Sequence, residues 1–429
     1  MSSTAPIDKI LSDAVDSGDV PNVVAIAADD NGISYEGAAG PRAAGSADPA
    51  SADTHFRIMS MTKMVTTTAA LKLADQGQLD LDAPVERYRP EFAEMKVLEG
   101  FDGDRAKLRA PASQATVRQL MTHTSGLSYW FWNGDIVKWE RATGVPNVLS
   151  GRKIVLTAPM VADPGTKVEY GTNTDWLGQV VEAVAGVTLD VFFKEHITGP
   201  LGMTETSFAP TGSQRANLAP VHVLGEDGKW VATDINIPEQ PEYWAGGHGL
   251  YSTPRDYLKF QRMLLGGGTL DGTKVLERST VDAAFTNQIG DLDFPARIST
   301  ADPTSSFDFA AGPGHKWGLG LVLNSEQRPG MRAAGSGTWA GLCNSFFWVD
   351  PVNRVTGAIY SQSLPFVPPP FVELYENFER ALYATILRDS SLKRRRPRPG
   401  AATIRPESPD RPRLKRPAPA RRPRRGPAR

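Results

Sequence analysis

Apolar side chains recur along this chain at two spacings, and the spacings divide it into helices and strands. Near the start, Ile7, Ile10, Leu11 and Val15 fall on one face of a helix. Val23 to Ala27 and Ile33 to Tyr35 predict a hairpin, ended by small, turn-rich residues from Gly37 to Asp53. Phe56 to Met59 lead into Ser60, after which a helix is predicted to about Asp75, with Gly77 as its stop. Met61, Met64, Val65, Ala69, Leu71 and Leu73 cover most sides of that helix, the pattern of a buried central element. Leu177, Val180, Val181 and Val184 make a single stripe ended by Gly186. Ser252-Thr253-Pro254 combines a cap with a first-turn proline and opens a helix carrying Tyr257, Phe260 and Leu264, which Gly266 to Gly268 stop. Strands are predicted at Trp317 to Leu323, Ser345 to Val349 and Val355 to Tyr360. A last helix starts near Pro370 and buries Phe371, Leu374, Tyr375, Phe378, Leu382 and Ile386.

Taken together, helix and strands come first, then a mostly helical middle, then strands and a closing helix. This is an α+β pattern with a large helical insertion. It predicts one domain over residues 1–388, with an α/β part at about 1–83 and 242–388 and a helical and loop insertion at about 84–241. No internal repeat is visible.

Charge changes the picture at one end. From Asp389 to Arg429 there are 15 Lys and Arg against 3 Asp and Glu, leaving 32 against 45 in the residues before. That stretch, 389–429, is proline-rich with almost no large apolar side chains, and it is expected to be disordered and partly polyproline-like. Its arginines could attract nucleic acid or an anionic membrane. Lacking an aromatic residue to stack on bases, it is expected to be a solvated appendage, with no nucleic-acid or membrane partner. One cysteine, Cys343, excludes an internal disulfide framework. No apolar run approaches the roughly 18 residues of a membrane helix. The first residues lack the basic and apolar regions of a secretion signal, so a soluble, cytoplasmic protein is expected.

Several chemistries are missing. There is no Gly-x-Ser-x-Gly, no P-loop, no dinucleotide fingerprint and no HExxH. The six histidines stand singly, without metal-ligand spacing, so no metal is expected. What remains is Ser-x-x-Lys, in which residues three apart share a helix face and a neutral lysine can take the serine proton. It occurs at Ser150–Lys153, at Ser390–Lys393 and at Ser60–Lys63. Only Ser60-Met-Thr-Lys63 opens a buried helix straight after a strand, where apolar surroundings depress the lysine pKa. Tyr170, on a loop before the Leu177 helix, can project a phenol into a cleft. Ser128-Tyr129-Trp130-Phe131-Trp132 is a dense aromatic patch suited to the wall of an apolar acyl pocket.

These residues, in this order, resemble the serine β-lactamase and penicillin-binding-protein superfamily, with the closest likeness to the class C β-lactamase-like family VIII carboxylesterases. The likeness spans about residues 5 to 388. It rests on Phe56 to Lys63, Thr116 to Leu127, the segment around Tyr170, Pro200 to Phe208, and the Gly246 to Tyr257 stretch. It implies a β-lactamase/transpeptidase-like fold, an antiparallel sheet flanked by helices with a mostly helical second subdomain. By resemblance, Ser60 is the acylated nucleophile, Lys63 its base and Tyr170 the shared proton carrier. The superfamily's Tyr-x-Asn is altered here to Tyr170-Gly-Thr172, with Asn173 one place late. Tyr375-Glu-Asn377 matches the pattern but lies in the terminal helix.

No Lys-Thr-Gly exists in the chain. Trp339-Ala-Gly341 stands at its place, as Trp-x-Gly does in family VIII esterases, and Lys316-Trp-Gly318 is a rival one strand earlier. The resemblance then puts the oxyanion hole on the backbone N–H groups of Ser60 and Leu342. Tyr129, Trp130, Trp132, Trp339 and Gly341 are the expected substrate-binding residues. A tryptophan in place of the lysine removes a cation that would hold a substrate carboxylate, so neutral esters are expected over β-lactams or peptide C-termini. The expected activity is a serine carboxylesterase acting on a small-molecule ester, without cofactor. The rivals are an acyltransferase on the same fold, residual β-lactamase or D-amino-acid peptidase activity, and an inactive binding protein whose basic tail does the work. Deleting residues 393–429 is expected to leave ester turnover unchanged, as measured by the hydrolysis rate of the truncated protein.

Overall fold

The computed structural model describes the backbone of residues 4–395 and the side chains of residues 4–386. Most of the predicted basic tail, from 396 onward, lies outside the described residues.

Seven strands form one antiparallel sheet: β1 (Val23–Asp29), β2 (Gly32–Ala39), β3 (His315–Trp317), β4 (Val322–Asn324), β5 (Gly337–Gly341), β6 (Ser345–Asp350) and β7 (Val355–Tyr360). Their order is β3-β4-β5-β6-β7-β1-β2, so strands from opposite ends of the chain pair, Val24 opposite Tyr360. Five helices frame the sheet and the site: α1 (Ala5–Asp16), α2 (Thr62–Asp75), α3 (Asn173–Ala185), α4 (Pro254–Leu265) and α5 (Pro369–Arg395).

Alternation along β1 shows why both faces of the sheet are covered. Val23, Ala25 and Ala27 face one core with Ile7 and Leu11 of α1 and Phe371 and Phe378 of α5. Val24, Ile26 and Ala28 face the other, with Tyr257 and Phe260 of α4 and the residues of α2. A strand buried on both sides reads as one continuous apolar run, as β1 does. Helix α2 lies deep in the second core; Thr62 to Leu71 are all buried, as the sequence pattern predicts. Thr253 caps α4 by accepting the Asp256 N–H at 3.2 Å. Between the sheet-bearing parts, the middle of the chain contains short helices around α3 and two hairpins, Val97–Asp102 with Arg105–Arg109 and His222–Leu224 with Trp230–Ala232.

Two sequence expectations are corrected. Trp317 to Leu323 is not one strand but the ends of β3 and β4, joined by a turn in which the Gly318 N–H donates to Leu321 O at 2.8 Å. Gly320 there has φ +83°, a left-handed value that ends extended structure. The stretch expected to be disordered from 389 is helical at its start, since α5 continues to Arg395; the residues after Asp389 include good helix formers and no proline occurs before Pro397.

A buried ion pair ties α5 to the loop between β4 and β5. Arg332 Nη1 lies 2.9 Å from Glu379 Oε2 and 2.6 Å from the Tyr375 hydroxyl, and the Arg332 N–H donates to Glu379 Oε1 at 2.9 Å. Breaking such a pair from one side leaves a sealed charge without a partner. Glu379→Ala is expected to lower unfolding free energy by about 3–5 kcal/mol, read from the urea midpoint by circular dichroism.

Candidate active site

The turn that carries Ser60 is held from several directions. The short strand Phe56–Arg57 pairs with Tyr251–Ser252, and the Ile58 N–H donates to Leu250 O at 3.1 Å. Leu250 in turn donates to Thr62 Oγ1 at 3.1 Å, and the Tyr257 hydroxyl donates to Met61 O at 2.9 Å. Met59 is forced to φ +45°, a conformation that costs a non-glycine residue about 1–3 kcal/mol and persists only where its surroundings fix it. A 3₁₀ turn at Met59–Met61 then runs into α2.

One turn into the helix, the Lys63 amine lies 3.1 Å from Ser60 Oγ. It also sits 3.1 Å from the Tyr129 hydroxyl and 2.7 Å from the Gly247 carbonyl oxygen. Its side chain is among the largest fully buried ones in the protein. Burial pulls its pKa down to about 7, against the opposing pull of Asp175. A lysine in this state is substantially neutral at physiological pH and can accept the Ser60 proton.

Tyr170 faces the same serine. Its hydroxyl meets Ser60 and accepts the Trp339 Nε1–H at 3.2 Å. Burial raises its pKa, with the Ser60 and Trp339 hydrogen bonds working the other way, so the group is a phenol, able to donate. Its ring is caged by Trp339, His123, Tyr129 and Trp132, with ring centres 4.8 to 5.3 Å away. The Lys63 ammonium position lies 4.7 Å from the Tyr170 ring centre. His123, at φ +55°, wedges between Tyr170 and Trp317, and burial and the nearby lysine hold it neutral.

Strand β5 passes beside this cluster. It pairs with β6 along its length but with β4 only through Gly337 and Thr338, leaving its second half as an edge. Gly341 lies so close to the Ser60 turn that a Cβ would stand 2.4 Å from Ile58 O and 2.5 Å from Ser345 Oγ. No side chain fits there, and the strand end can approach the Ser60 turn only as glycine. A cavity of about 140 Å³ opens at Ser60 and is walled by Phe131, Trp132, Tyr170, Phe294, Trp339 and Leu342. Beyond the edge of β5 it continues to Phe346, Phe366 and the paired Arg328 and Glu376.

Three sequence-selected side chains therefore converge, Ser60, Lys63 and Tyr170, with Trp339 hydrogen-bonded to Tyr170 and Gly341 and Leu342 alongside. Trp132 lines the cavity. Tyr129 and Trp130 do not stand on its wall, contrary to expectation. Tyr129 is turned inward to Lys63, and Trp130 donates its Nε1–H to Asp302 Oδ2 at 3.0 Å and Ser305 Oγ at 3.2 Å, anchoring the loop that carries the cavity-lining Thr300 and Ser306. Asn173 spends its amide on the fold, accepting from Ser125 Oγ at 2.5 Å and donating to Leu127 O and Glu169 O. The rivals do not meet Ser60: Ser150 Oγ caps its own turn, Lys316 binds Leu292 O and Asp293, and Tyr375, on the far part of the cavity wall, holds Arg332. The side chains of Ser390 and Lys393 lie outside the described residues.

Sequence reading passed over Asp175 and Gly247, which complete the surroundings of Lys63. Asp175 Oδ2 accepts the Tyr129 hydroxyl at 3.1 Å, and Oδ1 accepts the Gly247 N–H at 3.0 Å. An acid in the first turn of α3 looks in sequence like an ordinary complement to the helix dipole, which concealed it.

A family profile described as Beta-lactamase matches residues 7–382. The chain belongs to that family. The lovastatin esterase of Penicillium rubens is 32% identical over 396 residues, covering 88% of this chain and 98% of that protein. Monacolin J acid methylbutanoyltransferase of Aspergillus terreus is 32% identical, covering 86% of this chain and 93% of its own length. The LovD6 mutant of simvastatin synthase from Aspergillus terreus superposes with a TM-score of 0.77 at 30% identity, covering 90% of this chain and 98% of that one. The fold is the β-lactamase/transpeptidase fold, and the protein is an enzyme of the serine hydrolase and acyltransferase kind, working on esters.

The lysine sets a pH dependence. Because burial depresses its pKa to about 7, the amine gains a proton as pH falls through that value and ceases to be a base. The kcat/KM for an uncharged ester is expected to be level above about pH 8 and to fall about tenfold per unit below about pH 6.5, measured between pH 5 and 9.

Proposed function

We propose that the protein is a serine carboxylesterase that cleaves short-to-medium-chain esters through an acyl-enzyme on Ser60. The observation that carries this reading is the Lys63 amine, 3.1 Å from Ser60 Oγ and drawn toward neutrality by burial, with Ser60 itself opening onto an aromatic cavity. Lys63 takes the Ser60 proton as Oγ attacks the ester carbonyl. The oxyanion is held by the backbone N–H groups of Ser60 and Leu342. Tyr170 gives its proton to the leaving alkoxide, and the proton that Lys63 took from Ser60 restores the phenol. Water then attacks the acyl carbonyl and gives a proton to Lys63; the bond between the acyl carbon and Ser60 Oγ breaks, Oγ takes the proton back, and the carboxylic acid leaves.

The acyl group is expected to be neutral and of modest size. A cavity of about 140 Å³ resembles in volume one that holds benzene, and its wall beside Ser60 is aromatic. Trp339 offers the reacting end a single neutral N–H, already given to Tyr170, where a lysine would attract a carboxylate. This favours esters over β-lactams and peptide C-termini. A second reading, transfer of the acyl group to an alcohol in place of water, has the support of the similar Aspergillus terreus methylbutanoyltransferase.

Hydrolysis of p-nitrophenyl acetate, butyrate and octanoate by wild type and Ser60→Ala, with nitrocefin alongside, tests the proposal. Ester turnover should fall by at least about a thousandfold in S60A, with little nitrocefin cleavage in either protein. Turnover that survives the substitution would remove Ser60 as nucleophile, and dominant nitrocefin cleavage would overturn the substrate assignment. Adding a primary alcohol and weighing ester against acid product separates transfer from hydrolysis.

A further inference from the structure

Behind the groups that meet the cavity, one carboxylate is sealed from solvent. Asp175 has 0% exposure. Its two oxygens accept the Tyr129 O–H and the Gly247 N–H, at 3.1 and 3.0 Å. Both partners also touch Lys63, the first through its hydroxyl at 3.1 Å and the second through its carbonyl at 2.7 Å. Lys63, Tyr129, Asp175 and Gly247 thus close a ring, and the remaining direction at the amine points to Ser60 Oγ. Gly247 leaves no slack in it. A Cβ there would stand 2.4 Å from Asp175 Oδ2 and 2.8 Å from the Tyr129 hydroxyl.

Proton counting gives the ring a direction. A neutral lysine has two N–H donors and one lone pair, and a tyrosine hydroxyl has one proton with acceptor capacity to spare. The Gly247 carbonyl can only accept, so it takes one N–H. A carboxylate can only accept as well, so it claims the Tyr129 proton and turns the Tyr129 oxygen into an acceptor for the second N–H. The lone pair is then left for the Ser60 proton. Without the carboxylate, the Tyr129 O–H would be free to donate to that lone pair and occupy the base.

We propose that Asp175 is a positioning residue for catalysis: by holding the Tyr129 proton and the Gly247 amide, it keeps the Lys63 lone pair open toward Ser60. This rests on Ser60 and Lys63 being nucleophile and base. The other groups facing the ring do not supply this function. His248 Nδ1 lies 3.7 Å from Asp175 Oδ1, but burial takes its pKa down to about 4, so it is neutral at working pH. His123 is likewise neutral, while Tyr243 and Tyr170 are phenols whose pKa values burial raises.

The test compares wild type, Asp175→Asn, and Asp175→Asn combined with Tyr129→Phe, each checked for folding by near-UV circular dichroism. An asparagine can accept from Gly247 yet presents N–H groups to Tyr129, so its hydroxyl turns to the lysine. In D175N, kcat should fall about 100-fold with KM nearly constant. The acid limb of the pH profile should move down by about one unit or more, since the anion that favours the ammonium is gone. Removing the misdirected hydroxyl should restore activity, making the double variant at least about tenfold faster than D175N alone. A folded D175N with wild-type kcat and acid limb would overturn the proposal, as would a double variant no faster than D175N. Should D175N fail to fold, Gly247→Ala carries the test, because its methyl parts Asp175 from Tyr129 without altering charge. A large loss of kcat with an unmoved acid limb is expected, and a wild-type kcat would overturn the inference. Labelling wild-type Ser60 with a fluorophosphonate keeps the two readings apart: absence of that adduct defeats the nucleophile assignment, whereas its presence beside an unaffected D175N defeats only the role of Asp175.

Discussion

An amine sealed from water must find its hydrogen-bond partners inside the protein, and the architecture around α2 answers to that requirement. Lys63 is 1% exposed, yet it is met by a tyrosine from one loop, a carbonyl from another and the serine on its own helix. The buried amine costs less as a neutral group than as a cation. The same burial that would be a liability for a charged lysine therefore leaves this one able to accept a proton near neutral pH. The strained Met59 and the pinned start of α2 hold Ser60 against this amine, and the sheet behind them provides a wall that does not yield.

Around that base the site is built largely from rings. Tyr170 has little freedom, packed by Trp339, Trp132, His123 and Tyr129, and its hydroxyl is already oriented by one tryptophan N–H. Groups held this firmly need little reorganisation when charge develops, which is where preorganised sites gain most over water. Gly341 lets the edge of β5 approach the same point, so the strand, the helix start and the phenol surround one small volume.

Local features of this arrangement were legible in the sequence, and distant ones were not. Ser60 and Lys63 are three residues apart on a helix whose apolar surroundings are written beside them. The hairpin of β1 and β2, the Gly186 stop of α3 and the Thr253 cap of α4 follow from neighbouring residues in the same way. Tyr170 acquired a role only through the order of motifs along the chain. Asp175 and Gly247 were invisible, because their meaning lies in contacts spanning 46 and 72 residues, to Tyr129 and to each other. Trp130 and Trp132 belong to one irregular aromatic run, where no periodicity tells which ring faces the cavity. The division of the Trp317 to Leu323 run depends on a left-handed glycine, a conformation that sequence permits without requiring.

The pairing of β1 with β7 has a consequence for how the molecule comes into being. Residues near 24 find their partners near 360, and α1 packs beside α5. During synthesis the ribosome releases Ser60 and Lys63 long before the strands that complete the sheet. Until β6 and β7 emerge, the second core has no wall, and the lysine stays hydrated. Contacts this remote in sequence form late and slowly. A nascent or prematurely terminated chain consequently carries Ser60 and Lys63 without the packing that buries them side by side in the folded protein.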